Sequence, residues 1–144
     1  MHFSSSVKIA ATPAVIYELY AGVSEWPAWD SEVERAEISG PFAAGTLGML
    51  KPRGGPQSKI ELVEVTPGKS FTVRSKLPLC EMVFGHELIQ AGPLTTATHS
   101  VSFSGPLSVV FGILIGRGIR KTLPATLDGL KQAAEARQGL VDKA

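Results

Sequence analysis

Polar and apolar residues alternate from the start of the chain. Phe3, Val7 and Ile9 share one parity, and Ser4, Ser6 and Lys8 take the other. That period of two predicts a first strand over about residues 3–10. The period then lengthens. Thr12 is a good N-cap and Pro13 suits the first helical position. Val15, Ile16, Leu19 and Tyr20 fall on one face, and Gly22 can end the helix. Residues 24–30, SEWPAWD, come next and hold both tryptophans of the chain. Ser24 is placed to cap a second, very short helix, with Pro27 in its first turn, where proline is tolerated. Trp26 and Trp29 are three apart and so lie on one side of that turn.

From about residue 32 the pattern becomes strands punctuated by turn residues. Strands are predicted near 32–39, 46–52 and 57–66, around Phe71 and Val73, and near 80–90 and 95–104. GPFAAG, RGGP, TPGK, LPL and AGPL separate them. After Pro106 the spacing turns helical: Leu107, Val110, Phe111, Leu114, Leu123, Leu127, Leu130 and Ala134 follow at three- and four-residue steps. The interruption GRGIRKTLP, with Gly116, Gly118 and Pro124, predicts a bend or break. Leu107, Phe111, Leu114, Leu123, Leu127 and Leu130 are expected to pack on the sheet, and the chain to fray from about residue 138. Strand, helix, short helix, six strands and a long helix make an α+β protein, with a mainly antiparallel sheet and helices on one face.

Composition narrows the class. A chain of 144 residues is of single-domain length, and 44% hydrophobic against 19% charged residues supports a packed core. Fourteen basic residues nearly cancel thirteen acidic ones, with no basic stripe, which argues against a nucleic-acid partner. Cys80 is the only cysteine, so neither an intrachain disulfide nor a cysteine-based zinc site can form. The first residues lack the basic start and long apolar run of a signal peptide, and VVFGILI (109–115) is too short to span a bilayer. The expectation is a cytoplasmic protein with no integral membrane segment, metal or cofactor.

Strand parity also places candidate chemistry. Met82, Phe84, His86 and Leu88 share one face, as do Ala97, His99, Val101 and Phe103. A turn about Gly92 and Pro93 sets 86 opposite 99, 84 opposite 101 and 82 opposite 103, at touching distance. Two imidazoles then meet on an apolar inner face. They suit a polar anchor or a proton-transfer pair, since histidine titrates near neutrality. Structural histidines bonded to backbone or hydroxyls are the default reading. Two ligands are too few for a metal, and His2 stands at the chain's beginning. Tyr17 and Tyr20 are read as helix core in preference to pocket hydroxyls. Arg117, Arg120 and Lys121 form a small basic cluster, by default a solvated helix face. The segment PLSVVFGILIG suits a membrane surface less well than a sheet-facing helix start.

Several stretches together resemble the START-like, or SRPBCC (helix-grip), superfamily, and within it the polyketide cyclase/dehydrase-like group. They are TPAVIYELYAGVSEWPAWDSEVERAEISGPFAAGT, VEVTPGKSF, FGHELIQAGPLTTATHSVSFSGPL and the C-terminal helix. The resemblance covers nearly the whole chain, read as one START-like domain over 1–144. It implies a curved seven-stranded antiparallel sheet, two short helices after the first strand, and a long C-terminal helix across the concave face. It further implies a cavity for a small hydrophobic, lipid-like or aromatic polyketide-like ligand. Trp26 and Trp29 would plug and wall that cavity, or simply fill core, and the inner strand parity offers Met82, Phe84, His86, His99, Val101 and Phe103 as its lining. The alternatives are an aromatase/cyclase-type enzyme using His86 or His99, and an interaction module with a collapsed cavity.

Overall fold

The computed structural model describes residues 1–143. Seven strands form one antiparallel sheet: β1 His2–Ile9, β2 Val33–Ile38, β3 Leu47–Pro52, β4 Ser58–Thr66, β5 Ser70–Leu77, β6 Cys80–Ala91 and β7 Leu94–Ser104. Their order is β1-β7-β6-β5-β4-β3-β2, so consecutive strands are neighbours except where β1 closes against β7. Register shifts at Val33/Arg35 and Leu62/Glu64 mark bulges, which increase local twist and help the sheet curl. His2 is not at a loose end. It pairs with Ser102 in the ladder, and its Nδ1 lies 2.7 Å from the Ser102 hydroxyl.

Helix α1, Pro13–Ala21, starts as its sequence dictates: the Thr12 hydroxyl accepts from the Val15 N–H at 3.3 Å, and Pro13 needs no N–H in the first turn. A 3-10 turn follows over Val23–Ala28. Ser24 does not cap it. Gly22 holds the N-cap position without a side-chain bond, and Trp29 the C-cap.

The C-terminal helix runs over 108–142 without a break. It comprises α2 Ser108–Phe111, a π-helical segment Gly112–Gly116 and α3 Arg117–Asp142. The break expected in GRGIRKTLP does not occur: Arg117 onward is regular helix with Pro124 inside α3, and the wider turn lies just before it. Helix continues to Asp142, past the expected onset of fraying; Ala144 lies outside the described residues. The π turn inserts one extra residue and rotates what precedes it. Phe111, Ile115 and Ile119 therefore face inward. Leu114, expected on the sheet, is 72% exposed, and Val110 is 48% exposed. Gly116 is required where it stands, since a Cβ there would strike the Phe3 ring.

Two clusters form the interior. The larger one joins Ile16 and Tyr20 of α1, Trp26, Phe71 of β5, and Leu127 and Leu130 of α3. The smaller one joins Val101 and Phe103 of β7 to Phe3, Leu107, Phe111 and Ile115.

Candidate functional site

Three adjacent strands set the floor of the site. Phe71 on β5, His86 on β6 and His99 on β7 are in register, Phe71 opposite His86 and His86 opposite His99. Strand periodicity points all three to the concave face. The Phe71 and His86 rings stack at 3.8 Å and 5°, while the two imidazoles meet edge to face at 4.7 Å. Tyr20, fully buried, descends from α1 onto this floor, and its hydroxyl lies 2.8 Å from His99 Nε2.

The hydrogen bonds define the protonation states. His86 Nδ1 lies 3.2 Å from the Phe71 carbonyl, which can only accept, so Nδ1 carries the proton and Nε2 is left as the acceptor. Burial drives the Tyr20 pKa up and keeps its phenol neutral. Burial also lowers His86 to about 4, against a smaller opposing effect of the Phe71 carbonyl. His99 falls well below its usual value through burial and then through His86 beside it. Both imidazoles are neutral at pH 7.

The wall opposite is built by SEWPAWD. Trp26 is fixed by its indole N–H, which donates to the Tyr20 carbonyl at 3.0 Å. The Trp29 indole N–H is buried and has no partner among the described residues. Asp30 accepts from the Glu32 N–H and from the Thr126 hydroxyl of α3, both at 3.0 Å. Burial raises the Asp30 pKa, partly offset by those two bonds. Gly129 lets α3 lie directly on the Trp29 carbonyl, the place a Cβ would need. The tryptophan turn is thus clamped to the helix at two points.

Between turn, sheet and helix lies a cavity of about 280 Å³. Its apolar wall includes Ile60, Val73, Ile115, Ile119 and Leu123, with Asp30, Glu32 and Thr126 among its polar edges. Trp26, Trp29, Met82, Phe84, His86 and His99 all stand on this wall. Val101 and Phe103 do not. Their inward parity is as expected, but the first turns of the C-terminal helix lie on them and fill the space, so they belong to the smaller core cluster. Phe71 and Asp30 join the site without having been singled out from sequence, and Tyr20 reaches its floor as a hydrogen-bonding partner as well as core. Among the described residues, no three His, Cys, Asp or Glu side chains converge as a metal site would need.

Comparison with known proteins gives the architecture its relatives. Among curated proteins, none matches the sequence significantly. Many solved structures match the fold. Ara h 8.0201 is 12% identical at a TM-score of 0.73, over 94% of this chain and 98% of that one. Protein MLL2253 from Mesorhizobium loti is 15% identical at 0.74, over 94% and 98%. Truncated norcoclaurine synthase from Thalictrum flavum is 17% identical at 0.66, over 92% and 91%. At these identities the likeness shows the START-like, helix-grip fold and no more. The family model described as polyketide cyclase / dehydrase and lipid transport matches residues 1–135. Over nearly its whole length, then, this chain belongs to the polyketide cyclase / dehydrase and lipid transport family.

Proposed function

We propose that the protein binds one small, mainly apolar molecule in the cavity and orients it by a single polar group on His86. The observation that carries this reading is a cavity of about 280 Å³, walled by two tryptophans and floored by neutral imidazoles. Its size lies near the lower end of ligand pockets, roughly 300–1,000 Å³. A compact ring system or a short acyl chain fits that volume better than a large polycyclic molecule. His86 Nε2 supplies the acceptor, and a ligand hydroxyl the donor.

A titration of tryptophan emission with naphthalene and 2-naphthol tests this. Both should quench or shift Trp26 and Trp29 saturably, and 2-naphthol should bind more tightly. His86→Phe keeps a ring to stack on Phe71 but removes the acceptor. It should reduce the preference for 2-naphthol roughly fivefold, the worth of about 1 kcal/mol of hydrogen bond. Equal preference in both proteins would refute His86 as the anchor, and no saturable change with either probe would refute the binding reading.

A second reading, aromatase/cyclase-type catalysis, is favoured by one observation: the hydrogen bond between Tyr20 and His99 beside His86. Against it, an imidazole with a pKa of about 4 is a weak base, poorly matched to proton transfer at neutral pH. His86→Gln and His99→Gln are expected to lower stability with no turnover to lose. A variant that kept stability and affinity but lost a measurable turnover of a polyketide-like substrate would reverse the order of the two readings.

A further inference from the structure

The helix that closes the cavity carries a second, outward face. Val109 is 60% exposed, Val110 48%, Ile113 41% and Leu114 72%. Leu79, 66% exposed, stands beside them on the β5–β6 turn, where its carbonyl accepts from the Leu107 N–H at 3.0 Å. Leu79 adopts a φ of 53°, a conformation a bulky side chain rarely takes. Five large aliphatic side chains at one end of a molecule are not the scattered exposure of an ordinary surface.

Charge says what covers them. Arg117, Arg120 and Lys121, all exposed, follow these aliphatics directly in the same helix, just past the π segment. From Leu114 to Arg117 the helix surface thus changes from aliphatic to cationic within about one turn. Arg120 lies alongside, its guanidinium 5.9 Å from the Phe3 ring. Among the described residues none of these three cations is in an ion pair, and no acidic residue occurs anywhere in 88–127. The acid nearest in sequence to the tip, Glu81, has Lys76 opposite it across the β5–β6 pair.

We infer that this end of the molecule, the turn at Leu79 with the helix over 108–121, docks onto an anionic lipid bilayer. Aliphatics at the tip enter the acyl boundary, to the roughly 5–10 Å depth of an interfacial helix. Arg117, Arg120 and Lys121 then sit one turn behind, at the level of the headgroup phosphates. The patch has no exposed Trp or Tyr to serve as the anchor a protein partner would use, and its flexible aliphatics suit a fluid surface. Ile115 and Ile119, on the inner side of the same segment, wall the cavity. Docking would therefore bring the cavity wall to the membrane, but the inference does not depend on what the cavity holds.

Vesicle flotation of the full chain tests it. The probes are vesicles of phosphatidylcholine alone and of phosphatidylcholine with phosphatidylglycerol. The protein should float with the anionic vesicles and much less with the neutral ones, and added salt should release it. Leu114→Ser and Val109→Ser change exposed positions, so the fold should persist by circular dichroism. Each should weaken binding at least about tenfold, since burying such a side chain is worth about 1.5 kcal/mol or more. Arg117→Gln and Lys121→Gln should each cost roughly fivefold, from about 1 kcal/mol per cation at an anionic surface. Absence of flotation with either vesicle would overturn the inference, as would binding that the folded Leu114→Ser protein retains in full. So would a concentration-dependent dimer that Leu114→Ser dissolves in the absence of vesicle binding, which would assign the face to a second copy.

Discussion

The C-terminal helix has one sequence register but two different ends. Toward α1 it is locked in. Leu127 and Leu130 are essentially inaccessible, Thr126 bonds to Asp30, and Glu135 accepts from the Ala10 N–H at 2.9 Å. Toward the β5–β6 turn the same helix opens into a π segment and presents aliphatic side chains to solvent. The locked end stands near the Tyr20–His99 hydrogen bond, whereas the open end lies on the mainly apolar cluster of Phe3, Val101 and Phe103. Apolar residues at helical spacing thus do two jobs: one set makes the core, and the other is held away from it by a single inserted residue.

The sharpest way to break this contrast is at Leu127, 1% exposed beneath α1. Leu127→Ala should cost about 2–5 kcal/mol, because a fully buried leucine leaves a cavity its neighbours cannot fill. A denaturant titration measures it, and a loss near zero would mean the helix is not docked there.

Acid should act on the locked side alone. The folded protein holds His86 at about 4, whereas an unfolded histidine titrates near 6.5. Between those values the unfolded chain binds the extra proton, so stability falls as pH drops from about 6.5 to about 4 and the loss then levels off. His86 accounts for a loss on the order of 3 kcal/mol, and His99 adds to it with the same sign. Asp30, whose pKa is raised, works the opposite way at the acid end. Thermal melts across this range should show a steep loss that His86→Gln reduces. A flat profile would mean the imidazoles are charged or solvated.

Glycines extend the comparison along the helix with opposite signs. Gly129→Ala forces a methyl group onto the Trp29 carbonyl and should cost roughly 1–3 kcal/mol. Gly118→Ala meets open space and should stabilise by about 0.5–1 kcal/mol, as helix propensity favours alanine. The smallest effect belongs to Leu114→Ala, expected within about 0.5 kcal/mol for an exposed side chain. A cost like that of Leu127 would erase the distinction between the two ends.

The strand pairings were legible because a strand has a period of two and little freedom. The two-residue turn at Gly92 and Pro93 was enough to set His86 against His99, Phe84 against Val101 and Met82 against Phe103. The same logic at Pro78 and Leu79 would have set Phe71 against His86 and shown the stacked floor. The helix was harder to read. Counting at 3.6 residues per turn assigned Leu114 inward, and a π turn, which no residue pattern announces, put Ile115 there instead. That shift also laid Phe111 and Ile115 over Val101 and Phe103 and removed both from the cavity. Asp30 had no local signature, since its partner Thr126 is 96 residues away.

Native mass spectrometry of the freshly purified protein, with and without added 2-naphthol, tests the central claim of an apolar binding site most directly. The account predicts a single small molecule retained per chain, or taken up at one per chain from 2-naphthol. Met82→Trp, which fills the cavity from β6, should lose that adduct while remaining folded. Only the bare chain under every condition, or equal uptake by Met82→Trp, would contradict it.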